Sequence, residues 1–256
     1  KLCPWAKYRK NKGGIKMHTL VDLRGNLPVS VYLTSASVND VKALDDLYIE
    51  PSAIYLMDRG YVDFNRLFKL ITKKNAFFVT RAKDNMLFEV VSEAEVDKST
   101  GIISDERIKL TGLHTAKWYP EELRMVTYED YATSKVYRFL TNNMEYEALT
   151  ISELYRERWN VELYFKWIKQ HLHIKSFYGT SENAIYLQIW IAICTYLLLA
   201  YAKKVMHIDQ SLHTISKNVG LFLTDKTPLN ELFNKAVPTE ETEDWLYPSL
   251  FRPDDF

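Results

Sequence analysis

The sequence predicts an α/β domain whose sheet mixes antiparallel and parallel strands. Three observations lead there. Residues 15–24 (IKMHTLVDLR) and 27–34 (LPVSVYLT) alternate apolar and polar side chains around Arg24-Gly25-Asn26, the pattern of a hairpin. Two short apolar runs, 53–57 (AIYLM) and 76–80 (AFFVT), read as strands buried on both faces, with a helical stretch between them. Residues 155–169 (YRERWNVELYFKWIK) carry apolar residues at helical spacing.

In chain order, residues 1–16 (KLCPWAKYRKNKGGIK) are basic and acid-free. They suit either a frayed terminus with solvated lysines or a phosphate-contacting arm. After the hairpin, Asn39-Asp40 or Ser37 starts a helix through Ala43, Leu44 and Leu47, and Pro51 ends that unit. The run 53–57 delivers Asp58-Arg59-Gly60-Tyr61 at its C-terminal end. Phe64 to Lys74 reads as a helix with Leu67, Phe68 and Ile71 inward. Ligands of open α/β sheets gather at the C-terminal ends of strands, which makes Asp58 a candidate site residue. A strand-end aspartate that caps the next turn has the same sequence signature.

Residues 84–148 break the rhythm with short strand patterns, and turns at Gly112, Pro120 and Asn142-Asn143. The helical signal returns at Ala148. Gly179-Thr180-Ser181 is a break, with Ser181 or Thr180 as N-cap. Residues 184–202 carry no charge and approach membrane-spanning length. Gln188, Thr195 and the tyrosines dilute that run, so a central helix packed on the sheet is predicted.

Composition narrows the function classes. Lys and Arg total 33, as do Asp and Glu, which excludes a uniformly basic nucleic-acid binder. The charge is uneven, with a basic start and an acidic tail (Glu240, Glu241, Glu243, Asp244, Asp254, Asp255). Cys3 and Cys194 are too far apart in sequence to suggest a disulfide framework, which fits a reducing cytosol. His171 and His173 lack partners at zinc spacing. The opening residues hold no apolar run of signal-peptide kind.

The helix 155–169 carries the chemistry. At about 100° per residue, Tyr155, Arg158, Glu162 and Lys169 fall within a stripe about 60° wide. Leu154, Val161, Phe165, Ile168 and Leu172 form the core-facing stripe beside it. A carboxylate holds divalent metals through oxygen, while Arg, Lys and Tyr suit phosphate oxygens. An ordinary ladder of Glu162 with Arg158 and Lys166 has the same composition.

The spacing Tyr-x2-Arg-x3-Glu-x6-Lys resembles the signature of a subgroup of insertion-sequence DDE transposases. Asp58-Arg59-Gly60-Tyr61 resembles the segment that carries that family's second catalytic carboxylate. The blocks WAKYRKNKGGIKMHTLVDLRGNLP and TSASVNDVKAL agree with it, so the likeness runs from about Trp5 to Lys203. It implies a ribonuclease H-like mixed sheet flanked by helices, with a β-rich insertion before the helix carrying the catalytic Glu. The divisions expected are 1–83 and 149–206 as the two parts of the catalytic core, 84–148 as the insertion, and 207–256 as a helical and acidic tail.

The resemblance implies that Asp58 and Glu162 are catalytic and hold two Mg²⁺ ions, with Mn²⁺ as a substitute. It implies DNA contacts at Tyr155, Arg158 and Lys169. Arg59 is assigned with them, and Trp159, at the border of the stripe, is a candidate to stack on a base. The partners implied are double-stranded DNA, as element ends and as target, and a second copy in a synaptic dimer. No membrane partner is expected, and the location expected is the bacterial cytoplasm at the nucleoid. A metal-dependent nuclease and a non-catalytic DNA-binding remnant are the alternatives. The family's first catalytic aspartate lies upstream of the WAKYRKNKGG block. No Asp occurs before Asp22. Asp22 is a candidate replacement by position, but it sits at the end of the strand leading to the Arg24-Gly25-Asn26 turn, which matches the family's second strand. The chain alone is therefore expected to cut DNA poorly.

Overall fold

The computed structural model describes residues 7–9, 12–172, 174, 177–224, 226, 228, 231 and 233. Most of the basic start and all of the acidic tail, with Cys3 and His173, lie outside the described residues. In chain order the strands are β1 (Lys7–Arg9), β2 (Lys12–Gly13), β3 (Ile15–Asp22), β4 (Leu27–Ser35), β5 (Ile54–Met57), β6 (Phe77–Arg81), β7 (Phe88–Glu93), β8 (Ile102–Leu110), β9 (Leu123–Asp130) and β10 (Lys135–Thr141). The helices are α1 (Phe64–Arg66), α2 (Thr115–Trp118), α3 (Ala148–Glu157), α4 (Trp159–His171), α5 (Glu182–Val205) and α6 (Leu212–Leu221). They divide between two compact units. One draws on Lys1–Ser37 and Asn160–Leu246, the other on Val38–Trp159.

In the Val38–Trp159 unit, six strands form one mixed sheet in the order β5-β6-β10-β9-β8-β7. The β5–β6 pair is parallel and the other pairs are antiparallel. Side chains of a strand alternate between faces, and the two faces bury different cores. Phe78, Met125 and Leu140 face a core with Leu67 and Ile71. Their neighbours Val79, Val126 and Phe139 face a second core with Ile151 and Tyr155 of α3. The helical stretch after β5 covers the first face and α3 the second. This is the predicted mixed sheet flanked by helices, consistent with a ribonuclease H-like class.

Two expectations change here. The run 53–57 was expected to be a strand buried on both faces, yet β5 is an edge strand in which only Met57 is buried. Edge pairing on one side leaves the other side open, and the apolar run does not report that. The predicted helix 64–74 forms as an α-turn, a π-turn (Leu67–Ile71) and a 3₁₀ turn (Thr72–Lys74), ending on Asn75 at φ 56°. Segment 84–148 supplies β7 to β10 of the same sheet that β5 and β6 begin.

In the other unit β3 and β4 pair as the predicted hairpin. Asn26 takes the left-handed conformation at φ 50° in its turn. Ile15, Met17, Val31 and Leu33 pack on Ile185, Ile189 and Ile193 of α5. Another side of α5, Ala192 and Tyr196, packs on Tyr164 and Ile168 of α4. Ile168 is fully buried, worth about 1.5–3 kcal/mol. Helix α5 is 24 residues long and holds an 18-residue stretch of mean hydropathy 1.8, enough by length and composition to cross a membrane. As predicted it packs on strands, those of the hairpin, but not all round. Leu187, Ile191, Leu198, Tyr201 and Val205 are exposed along one side, because the hairpin and α4 together cover only part of its circumference.

Candidate active site

Strand β5 ends at Met57, opposite Thr80 of β6. Asp58 follows in extended conformation, φ −65° and ψ 153°, and starts a 3₁₀ turn over Arg59–Tyr61. Its Oδ1 accepts the Gly60 N–H at 2.8 Å, so the capping role legible in the sequence is present. The other oxygen, Oδ2, makes no hydrogen bond or ion pair among the described residues, and the residue is exposed. A second carboxylate is close by. A Cβ at Gly60 would meet Asp58 Oδ1 at 3.2 Å and Asp40 Oδ2 at 4.0 Å. Sequence reasoning read Asp40 only as a helix start. Asn39 does cap that 3₁₀ turn, accepting from the Val41 N–H at 3.4 Å.

Tyr155 lies on the buried face of α3 and is 3% exposed. Its ring packs on Phe139 with centroids 4.9 Å apart. Burial holds its phenol above the ordinary pKa of 10.0, with the Asp58 carboxylate adding to the rise and Arg158 and Arg81 opposing it. Among the described residues no hydrogen bond of normal geometry reaches the Tyr155 hydroxyl. The Arg158 guanidinium is 5.8 Å from the ring centroid.

The single helix predicted across 155–169 is a correction. Helix α3 ends at Glu157, and the Arg158 N–H bonds Tyr155 O at 3.1 Å, a tight i→i−3 closure, before α4 starts at Trp159. The physical reason is that the two helices serve different cores. Ile151 and Tyr155 pack on the six-stranded sheet, whereas Tyr164 and Ile168 pack with Val21 and Tyr196. The four-residue stripe is therefore divided. Tyr155 and Arg158 belong to the sheet unit, with Trp159, whose indole N–H is buried without an acceptor among the described residues. Glu162 and Lys169 belong to the other unit and are exposed on α4. Glu162 lies in the first turn of α4, where the helix dipole favours a carboxylate. The Lys169 ammonium stands 5.9 Å from the Phe165 ring.

More cations surround the Asp58 end of the sheet than the sequence reading named. Arg59 reaches Asp84 at 3.9 Å and Arg138 reaches the same carboxylate at 3.4 Å. Lys83 donates to Val62 O at 2.9 Å. Arg81, the last residue of β6, stacks its guanidinium 5.3 Å from the Tyr137 ring centroid. The strand-end rule that picked out Asp58 applied equally to Arg81, which ends the next parallel strand. By contrast Asp22 ends β3, and its carboxylate is taken up by the Arg24 N–H and guanidinium at 3.1 and 3.2 Å. The side-chain hydrogen bond from Arg24 holds its pKa below the usual carboxylate value. A cleft of about 720 Å³ opens elsewhere, beside Asn75, Ala76 and Phe77 at the start of β6. It is at the far end of the parallel pair from Asp58.

Residues 4–198 match the family described as the transposase DDE domain. The chain belongs to that family. It is 37% identical over 212 residues to a putative transposase, y4zB, of Sinorhizobium fredii, a match covering 81% of this chain and 59% of that protein. It is 29% identical over 231 residues to a probable transposase for insertion sequence element IS5377 of Geobacillus stearothermophilus, covering 89% and 60%. A putative transposase for insertion sequence element IS4SA of Synechocystis is 26% identical over 217 residues, covering 83% and 57%. The chain thus spans about three fifths of the length of these relatives. No solved structure matches it significantly.

DDE transposase domains are generally dependent on divalent metal. The donor chemistry here fits in kind, because Asp58 offers an exposed oxygen of the hard type that Mg²⁺ takes. Among the described residues no group of three His, Cys, Asp or Glu side chains stands at metal-holding distance.

Proposed function

We propose that this chain supplies the catalytic domain of an insertion-sequence transposase, acting on element ends and target DNA by phosphodiester cleavage and strand transfer. The observation that carries the reading is the Asp58 end of the sheet. There an exposed carboxylate with an uncommitted oxygen shares one compact unit with Tyr155, Arg158 and Arg81 in a chain of this family. A phosphodiester displacement asks for that combination, an anionic oxygen donor for a metal and cations for the phosphate oxygens.

In this reading Asp58 and Glu162 hold the metal, two Mg²⁺ ions with Mn²⁺ as substitute. When bound, such ions activate a water or a 3′-hydroxyl and stabilise the departing oxygen. Arg158 holds a phosphate through its planar fork. Tyr155 donates its hydroxyl to a phosphate oxygen. Lys169 and Arg59 contact the DNA backbone, and Trp159 stacks on a base. The assembly is a dimer synapsing two element ends.

The test has two arms on the 256-residue chain. Mn²⁺ binding is measured for the parent, Asp58→Asn and Glu162→Gln, with at least a tenfold loss expected for each variant. Binding of a labelled DNA duplex is measured against salt, with Arg158→Ala and Lys169→Ala each expected to lower the log–log slope by about one. Mn²⁺ binding untouched by both carboxylate variants would overturn the catalytic reading. DNA binding without any metal response would favour a non-catalytic remnant.

A further inference from the structure

Helix α5 carries two apolar stripes. The inner one, with Ile185, Ile189, Ile193 and Tyr196, is buried. The outer one is made of Leu187, Ile191, Cys194, Leu198, Tyr201 and Val205, spaced 4-3-4-3-4 along the chain. All six are exposed, and all but Cys194 by more than half. A continuous apolar patch of this kind marks an interaction surface. Its 3.5-residue repeat is that of a seam that receives another helix, knob into hole.

The spacing also says which helix. Read backwards, 4-3-4-3-4 is unchanged, so an antiparallel second copy offers the same knobs about a two-fold axis at residue 196. That axis sets Leu187 against the partner's Val205, Ile191 against the partner's Tyr201, and Cys194 against the partner's Leu198. Such a contact is isologous, the commonest kind in homodimers. Asn183 to Ala202 hold no charge, so two copies meet no like-charge repulsion along the seam. The antiparallel arrangement also brings the acidic start of each helix, Glu182, toward the basic end of the other, Lys203 and Lys204. A lipid surface asks instead for a helix whose remaining face is cationic, and here that face is the buried inner stripe.

We infer that the outer stripe of α5 is a weak homodimer interface, an antiparallel helix pair between two copies of this chain. The inference rests on the transposase reading for its purpose, since it gives the synaptic dimer an interface. The seam from Leu187 to Val205 is about 27 Å long and one helix, about 10 Å, wide. That footprint falls short of the area of about 800 Å² per partner in a stable complex. Dissociation is therefore expected at about 10–100 µM, and in dilute protein the stripe is bare. Two copies held on paired DNA ends meet at a far higher effective concentration, and the seam closes.

The experiment measures the mass of the 256-residue chain in solution by sedimentation equilibrium, from about 1 to about 200 µM. The parent is expected to pass from monomer to dimer across that range. Leu198→Glu puts two like charges near the axis and should weaken the pair at least about a hundredfold. Leu198→Lys should do the same, and an equimolar mixture of the two variants should pair again. If Leu198→Glu does not fold, Tyr201→Glu carries the same expectation. Under mild oxidation Leu198→Cys should form a disulfide between the introduced thiol and the partner's Cys194. A parent that stays monomeric at about 200 µM overturns the inference, and its capture by neutral phosphatidylcholine vesicles would then assign the stripe to lipid. A dimer that Leu198→Glu leaves intact overturns it too, because the contact then lies elsewhere. Binding of duplex DNA and Mn²⁺ keeps the two readings apart. A monomer that binds both leaves the transposase reading standing, and a dimer through α5 that binds neither leaves only the interface.

Discussion

The Arg124 guanidinium and the Asp105 carboxylate meet as two parallel hydrogen bonds, Nε to Oδ1 and Nη2 to Oδ2, both at 2.7 Å. The two side chains are 9% and 11% exposed. The remaining nitrogen, Nη1, donates to the carbonyls of Asn143 and Tyr146. One buried fork therefore ties β8 to β9 and fixes the loop that leads into α3, the helix on which Tyr155 rides.

Breaking that fork from either side leaves a buried charge without its partner. Asp105→Ala and Arg124→Ala are each expected to lose about 3–5 kcal/mol of stability. The double variant should lose less than the sum, since neither charge is then stranded. Urea denaturation of the four proteins checks this, and a single-variant loss below about 1 kcal/mol would show that the loop is held otherwise.

Tyr155→Phe separates stability from binding. The hydroxyl is buried and among the described residues makes no hydrogen bond of normal geometry, so its removal should leave the melting temperature unchanged or raise it. DNA affinity should fall, because the lost hydroxyl is the one assigned to a phosphate. A variant that melts lower and binds duplex DNA as the parent does would make Tyr155 a packing residue.

Burial raises the phenol pKa of Tyr119, Tyr155, Tyr164 and Tyr196 above 10.0. Such a group holds its proton in the folded state at a pH where the unfolded chain has lost it. The stability it contributes is complete below pH 10 and is lost as pH rises through the folded-state value. Each such phenol should cost about 1.4 kcal/mol per pH unit in that window. Denaturation midpoints should be flat from neutral pH to pH 9 and fall steeply above 10. Tyr164→Phe, which removes a buried hydroxyl without a partner among the described residues, should soften the fall.

The two sides of α5 should respond differently to truncation. Ile189 packs between the hairpin and its own helix neighbours at 4% exposure, while Leu198 is 69% exposed. Ile189→Ala is expected to cost about 2–5 kcal/mol, and Leu198→Ala to stay within about 0.5 kcal/mol. An equal cost at Leu198 in thermal unfolding would mean that the exposed side is covered in solution.

Local pattern carried much of the architecture. Alternation in 15–34 specified the hairpin, because a strand's side chains must divide between two faces. The short apolar runs located β5 and β6, and Ser181 marked the start of α5 by accepting the Ala184 N–H. Asp58 was found by the same means, since a polar residue at the end of an apolar strand has few places to be. Asn142 was legible only as a turn residue, although its side chain bonds Phe78 N, Ala76 O and Thr72 Oγ1. Those partners lie far away along the chain.

What the sequence by itself determined was the kind of each element and the chemistry offered at its ends: a carboxylate after β5, and a tyrosine, an arginine, a glutamate and a lysine at helical spacing. Helical periodicity reports one continuous face only while one core receives it. Tertiary structure decided that α3 and α4 pack into different cores, and so broke the helix at Arg158. It also decided that β5 lies at a sheet edge and that Arg81 stands beside Asp58. Strand neighbours are chosen by long-range pairing, for which a residue's own segment holds no record.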